Sequence, residues 1–418
     1  MTSPTRKVLA TTLLAQMAAL GSLSAQTIWD GGGADTNINT AANWNNDVVN
    51  LLNGTQAATF GTAGSTATMN VAGAFTSLTF NRDNAAGFTV NGASNLTVSA
   101  SGSGATANLS VSNTAGNGVS TISAPLRVNT DAGGTRLLVI DNRENGTTGE
   151  SLVISGGLAA TTPANGYGLR FGGSGSTRIT GTLANVGTTN IQQASIAGQP
   201  FSGTVTIAGN QALTSVNVQI GSTGGSVDGQ VGSTARIVMG DSVSDVQSWA
   251  GTSVLQAATV QIKSTATLSG GVSLSNGASN GSSGGTLDVS GNLSATALAI
   301  GGAAYSGVLK VSGNATFSGA ITSGATAGSK IVGGGASNGT LTLASGTVGS
   351  AVALGGAGTN ENNLAVVKAT TGTLTVSSAN NTYSGGTTIV DGGGSGSFAI
   401  ALGANHALGS GPLAIGTL

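Results

Sequence analysis

Apolar residues in this chain recur at every second position, in short runs separated by Gly, Asn and Ser. Examples are Phe75 to Phe80 (FTSLTF), Asn95 to Ser99 (NLTVS), Leu152 to Ser155 (LVIS), Thr204 to Ala208 (TVTIA), Thr286 to Ser290 (TLDVS) and Val308 to Ser312 (VLKVS). A period of two over such lengths predicts β-strands with one buried face. No run after the N-terminal segment keeps a helical period. The intervening Gly and Asn residues suit tight turns, Gly because it tolerates positive φ.

The runs also resemble one another. GTLDVSGNLS begins at Gly285, SGVLKVSGNATFSG at Ser306, NGTLTLASGTVG at Asn338 and TGTLTVSSANNTYSGG at Thr371. Aligned on their central leucines, they run from Leu287 to Leu309, Leu341 and Leu374, in steps of 22, 32 and 33 residues. Repeats of this size mark solenoids, in which one strand-turn unit buries its apolar face only against its neighbours. Rungs of roughly 20–25 residues predict on the order of 17 coils, a rod of about 80 Å.

Composition narrows the choice. Gly supplies 71 of 418 residues, Pro 5, and charged residues 6%. An average chain is about 25% charged and about 7% Gly. Disorder pairs low hydrophobicity with high net charge, but this chain is 39% apolar with a net charge of −1. Collagen needs Gly at every third position, and that period is missing. The 3% aromatic content suits a narrow core of small aliphatic residues. Near-zero net charge argues against nucleic acid as a partner. The absence of Cys removes disulfides, zinc–thiolate sites and thiol catalysis.

The N-terminus reads as a secretory signal peptide. Arg6 and Lys7 precede an uncharged, mostly apolar run from Val8 to Leu23, and Ser22, Ser24 and Ala25 supply small residues for cleavage after Ser24 or Ala25. No later segment is long and apolar enough for a transmembrane helix.

Residues Gly372 to Gly394 read GTLTVSSANNTYSGGTTIVDGGG, and His406 to Gly416 read HALGSGPLAIG. This stretch resembles the autotransporter-associated β-strand repeat, with the pattern G-x-L-T-L-x-x-x-N-T-Y-x-G-G-T-x-I-x-x-G followed by A-L-G-x-G-x-L. Gly372, Leu374, Asn381, Thr382, Tyr383, Gly385, Gly386, Thr387 and Ile389 fall on the first part, and Ala407, Leu408, Gly409, Gly411 and Leu413 on the second. The opening TIWDGGGADTNINTAANW from Thr27 to Trp44 also resembles how such proteins begin. The resemblance implies a right-handed, single-stranded parallel β-helix displayed outside the outer membrane, often as an autotransporter passenger. Such passengers usually continue into a membrane β-barrel. The chain stops at Leu418 inside a repeat, so the expected outer-membrane anchor lies beyond it.

The expected organisation is a signal peptide (1–25), an N-terminal cap with the first coils (26–70), degenerate coils (71–370) and the recognised repeat (371–418).

Candidate chemistry is thin. The best charged cluster is Asp131, Arg136, Asp141, Arg143, Glu144 and Glu150. Paired carboxylates there would suit glycoside cleavage, with Asp141, Arg143 and Glu144 as the surface patch. A solvated loop carrying ion pairs is the reading we favour. Asp241 and Asp245 flank DSVSD near Trp249; a polar loop with one partly buried Trp is preferred over a cation or sugar site. GGSVDGQV at Gly224 is a single echo of calcium-binding nonapeptides. His406 is the only histidine and reads as a turn residue. Trp29 and Trp44 suit a cap on the first coil better than sugar stacking. The Gly runs at Gly31, Gly333 and Gly392 precede no helix, so phosphate cradling is not indicated. Tyr383, Asn381 and Thr382 read as corner residues, and Asn ladders between rungs are expected.

The expected function is a non-enzymatic, cofactor-free structural passenger, secreted or on the bacterial cell surface. Its expected partners are extracellular glycans or neighbouring cell surfaces, engaged in adhesion, aggregation or biofilm through many weak contacts. The alternative is a β-helical carbohydrate-active enzyme, a lyase or hydrolase.

Overall fold

The computed structural model describes residues 26–417 apart from 46, 48–51, 62–64, 83–86, 100–105, 114–117, 131–135, 144–148, 194–200, 221–233, 255–257, 275–284, 303–305, 325–327, 370 and 392–397. Every ladder between its strands is parallel, and the strands form sheets of 12, 4 and 19. The chain is a parallel β-helix. Each coil visits three faces in turn.

The first face holds the 12 strands from Thr66–Thr68 to Val352–Leu354. Its inward positions form continuous aliphatic ladders. One runs Val90, Ile122, Ile154, Ile179, Ile207, Met239, Ile262, Val289 and Val311, each in register with the next. A second runs Val205, Ile237, Val260, Leu287, Leu309, Ile331 and Leu354. All are buried. Removing one such side chain from water contributes about 1.5–3 kcal/mol, and stacking repeats that gain at every rung. Outward positions between them carry Arg178, Thr206, Gln261, Asp288 and Lys310.

The second face begins as the four-stranded sheet Gly73–Phe75, Leu96–Val98, Leu126–Val128 and Leu158–Ala160. From Gln211–Ile220 onward, long strands run through the corner into the third face. A register shift between Leu213 and Asn217 marks the bend. The two faces are thereby joined in one long sheet.

The pairing corrects the expected repeat phase. Leu287 and Leu309 do stack. Leu309 then stacks on Ile331, not Leu341. Leu341 lies on the second face over Ala315, and Leu374 on the third face beside Gly346. Strands of different faces share one alternation, so they look alike in sequence without being equivalent. Steps between paired first-face strands run from 22 (Leu287 to Leu309) to 32 (Ser120 to Leu152) residues. Longer coils mean fewer of them, and the rod is shorter than the expected 17 coils imply.

Aromatic residues gather at the N-terminal end. Trp29 and Trp44 meet edge to face at 5.2 Å and 87°, and Phe60, Phe75, Phe80 and Phe88 pack around them. Trp44 Nε1 donates to Ile38 O at 2.8 Å. Lys368 is one charged residue on an inward column, between Leu343 and Ile389. Its Nζ donates to Ala369 O at 3.1 Å, and burial lowers its pKa.

Candidate functional site

The outer side of the first face near the C-terminal coils carries a groove of about 500 Å³. Its floor is Ala351 and Ala353, which flank the inward Val352 on adjacent outward positions. One wall is Ser329 and Lys330, on the preceding rung. The other is the loop 355–363, and Ser378 and Asn380 close the end.

The loop is held from inside. Asn362 Oδ1 accepts from Gly356 N at 3.1 Å and from Thr382 Oγ1 at 2.6 Å. Asn363 Nδ2 donates to Gly335 O at 2.9 Å and Ala336 O at 3.1 Å. Glu361 Oε2 accepts from Gly358 N at 3.0 Å, and Glu361 Oε1 pairs with Lys330 Nζ. A Cβ on Gly356 would overlap the Glu361 carboxylate, so a larger residue there would push that side chain from its present position. The Lys330 ammonium and the Gly358 N–H hold the Glu361 pKa below its ordinary value. The carboxylate is therefore charged at neutral pH.

Two buried serines line the groove. Ser329 Oγ accepts from Gly307 N at 3.1 Å, and Ser378 Oγ accepts from Asn380 N at 3.3 Å. Ser329 is in register with the inward Val352, and Ser378 continues the buried alternation of Leu374 and Val376, so both hydroxyls face inward rather than into the groove. Sequence reading missed this site, because its walls come from coils about 20 to 30 residues apart, a spacing set by solenoid stacking. The only local signal was the Gly/Asn-rich run GGAGTNENN before Leu364.

The recognised repeat supplies the rung behind the groove. Asn381 Oδ1 accepts from Leu354 N at 2.8 Å, and its Nδ2 donates to Ser378 O at 3.2 Å and Ala407 O at 2.6 Å. Tyr383 is buried, with its hydroxyl 2.5 Å from Thr387 Oγ1. A Cβ on Gly409 would overlap the Tyr383 carbonyl, and Gly386 has φ +88° against Pro412. Gly385 and Gly411 face backbone at similarly close range. Gly372 has φ +95°. Leu374, Thr387 and Ala407 are buried, Ile389 and Leu408 half-buried, and Leu413 exposed. Thr382 Oγ1 donates to the Asn362 side chain at 2.6 Å.

Of the predicted charged cluster, the described members divide between separate partners. Arg143 Nε donates to Asp141 Oδ2 at 2.7 Å, while Glu144 and Asp131 lie outside the described residues. Arg136 points inward at the start of its strand and is buried. Glu150 instead pairs with Arg178 at 3.1 Å, and Arg178 also pairs with Asp241. Asp245 Oδ2 accepts from Gly209 N and Asp241 N, both at 3.0 Å. Burial pushes its pKa up, but those backbone donors prevail and hold it low. Trp249 is fully buried, not partly, and its Nε1 donates to Gln247 at 3.1 Å. The Trp29 and Trp44 rings are buried and present no face to a sugar. His406 sits in a turn at φ +60°. Asn314 Nδ2 donates to Asn292 Oδ1 at 2.8 Å, one rung of an Asn ladder. Ser24, Ala25, the apolar run before them, GGSVDGQV and Gly392 lie outside the described residues.

Among the described residues, no three His, Asp or Glu side chains converge as a metal centre, and no helix is long and apolar enough to cross a membrane. No protein-family model, no curated protein and no solved structure matches the chain.

Proposed function

We propose that this chain is an exported β-solenoid of the autotransporter-associated β-strand repeat kind, displayed on the cell surface or secreted. In this reading it acts without catalysis, by extended contact with glycans or neighbouring cells in adhesion, aggregation or biofilm. The observation that carries it is the unbroken ladder from Val90 to Val311. Such a ladder makes a stiff rod and repeats outward polar positions every ~4.8 Å. Many weak, evenly spaced contacts on one rigid body give avidity.

The test is the intact mass and cell fraction of the native product. A product lacking residues 1–24 or 1–25, outside the inner membrane and able to aggregate cells, supports the reading. A product retaining its N-terminus in the cytoplasm overturns it.

A further inference from the structure

We propose that the outward side of the second face, from Val246 to Val367, is a two-fold contact surface for a second copy of this chain, with the two rods antiparallel. The role of the contact, though not its geometry, rests on the contact reading above, whose partner it names. Six successive rungs set two outward columns in strict register. One runs Val246, Thr265, Asn292, Asn314, Thr340 and Ala365, and the other Ser248, Thr267, Ser294, Thr316, Thr342 and Val367. The inward residues between them, from Gln247 to Val366, are buried.

The order of these residues is close to a palindrome. A two-fold axis along the strands, in the contact plane and midway between the rungs of Asn292 and Asn314, sets each column against itself in reverse. Val246, 55% exposed, then meets Ala365 of the second copy. Thr265 meets Thr340, and Asn292 meets Asn314. In the other column Thr267 meets Thr342 and Ser294 meets Thr316. Only Ser248 against Val367 brings unlike residues together. A two-fold interface needs this self-complementarity, because each contact occurs twice.

The chemistry suits the same partner. In the middle four rungs hydroxyls and amides face one another, and each both donates and accepts. Asn314 Nδ2 donates to Asn292 Oδ1 at 2.8 Å, and Asn292 Nδ2 to Thr265 Oγ1 at 3.3 Å, which fixes both amides in place. None of the twelve positions is charged, while Arg236, Asp288, Lys310 and Lys330 stand outward on the first face. Docking therefore strips water from no ion. No aromatic ring stands among the twelve to stack on a sugar. A rung repeat of about 4.8 Å stays in step with a second solenoid along its whole length. The patch measures about 30 Å by 14 Å. Roughly 400 Å² on each copy makes a weak, transient contact, which many rods on two facing cells multiply.

The experiment is sedimentation of the full chain over rising concentration, which should show a monomer–dimer equilibrium in the micromolar to millimolar range. Thr267→Lys with Thr342→Lys sets like charges face to face twice and should weaken association about tenfold or more. Thr267→Lys with Thr342→Glu sets opposite charges together and should match or exceed the native dimer. Within one chain the two positions lie three rungs apart, about 14 Å. That exceeds the screening length of about 10 Å at 0.1 M salt, so the contrast reads contact between copies. Both side chains point outward, so the unfolding midpoints should stay with the native one. A native chain that remains monomeric, or equal association by the two variants, overturns the face. Clumping of cells that export the chain separates geometry from role. Clumping that survives Thr267→Lys with Thr342→Lys overturns this face and keeps the contact reading; native dimers in solution without clumping keep the face and overturn the aggregation role.

Discussion

The Asn381 side chain takes the backbone N–H of Leu354, one coil earlier, at 2.8 Å, and returns a hydrogen bond to Ala407 O, one coil later, at 2.6 Å. One amide thus ties the last strand of the first face, Val352–Leu354, to the two coils that follow it. Asn381→Ala should lower the local opening free energy by about 2–4 kcal/mol, since two or three buried backbone groups lose their partner. Amide hydrogen exchange at Leu354 and Tyr383 reads this directly. Asn381→Asp should not rescue it, because a carboxylate cannot donate to Ser378 O and Ala407 O. Full protection in either variant would show that the staple is dispensable.

The corrected coil phase is open to a covalent check. Asp288 and Lys310 are register partners on the outward side of the first face. Adjacent strands lie about 4.8 Å apart, within disulfide reach. The chain has no Cys of its own. The pair Asp288→Cys with Lys310→Cys should therefore oxidise readily. Lys310→Cys with Thr342→Cys, equivalent by sequence similarity, should not, because Thr342 lies on the second face beside Thr316 and Val367. The reverse result would restore the sequence alignment of the repeats.

Trp44 closes the N-terminal end, packing on Trp29, Phe60 and Phe75. Trp44→Ala should cost about 3–5 kcal/mol and raise aggregation, because it loosens the cover over the first strand edges. Light scattering during thermal unfolding would detect both. Trp44→Phe keeps much of the packing but loses the bond to Ile38 O, so it should fall between Trp44→Ala and the native protein.

Glu361 supplies a pH dependence. Its pKa is depressed by Lys330 and then by Gly358 N–H. A depressed carboxylate adds stability above its unfolded value, near 4.5, and loses it as pH falls through the folded value. Loop 355–363 should therefore loosen only in acid, and Glu361→Gln should remove that transition. Proteolysis of the loop between pH 3 and 7 (the range about the ordinary carboxylate value) would show it. A loop equally resistant across the range would count against the role of this pair.

Asp141→Ala with Glu144→Ala tests catalysis. Arg143, the partner of Asp141, is 45% exposed, and such pairs contribute about 0–1 kcal/mol. The double variant should bind polysaccharide as the native chain does. Release of reducing or unsaturated ends by the native protein, lost in the variant, would instead make it an enzyme.

Alternation and the turn residues between strands were enough to indicate a parallel solenoid, because a strand's two faces are written into neighbouring positions. The NTYSGG stretch marked a structural unit for the same reason: Tyr383 and its glycines meet within one or two coils. What each strand stacks on was not legible. Leu309, Leu341 and Leu374 look alike in sequence yet occupy three faces, since alternation encodes burial but not which face receives it. The groove was hidden for a related reason. Ser329, Ala353, Glu361 and Ser378 are ordinary residues alone, and only coil length, set by loops between strands, brings them to one place. Sequence by itself determined the class of fold and its inward residues; the tertiary structure decided register, the fate of the charged side chains and which coils meet at the groove, because coil length and not alternation sets what stacks on what.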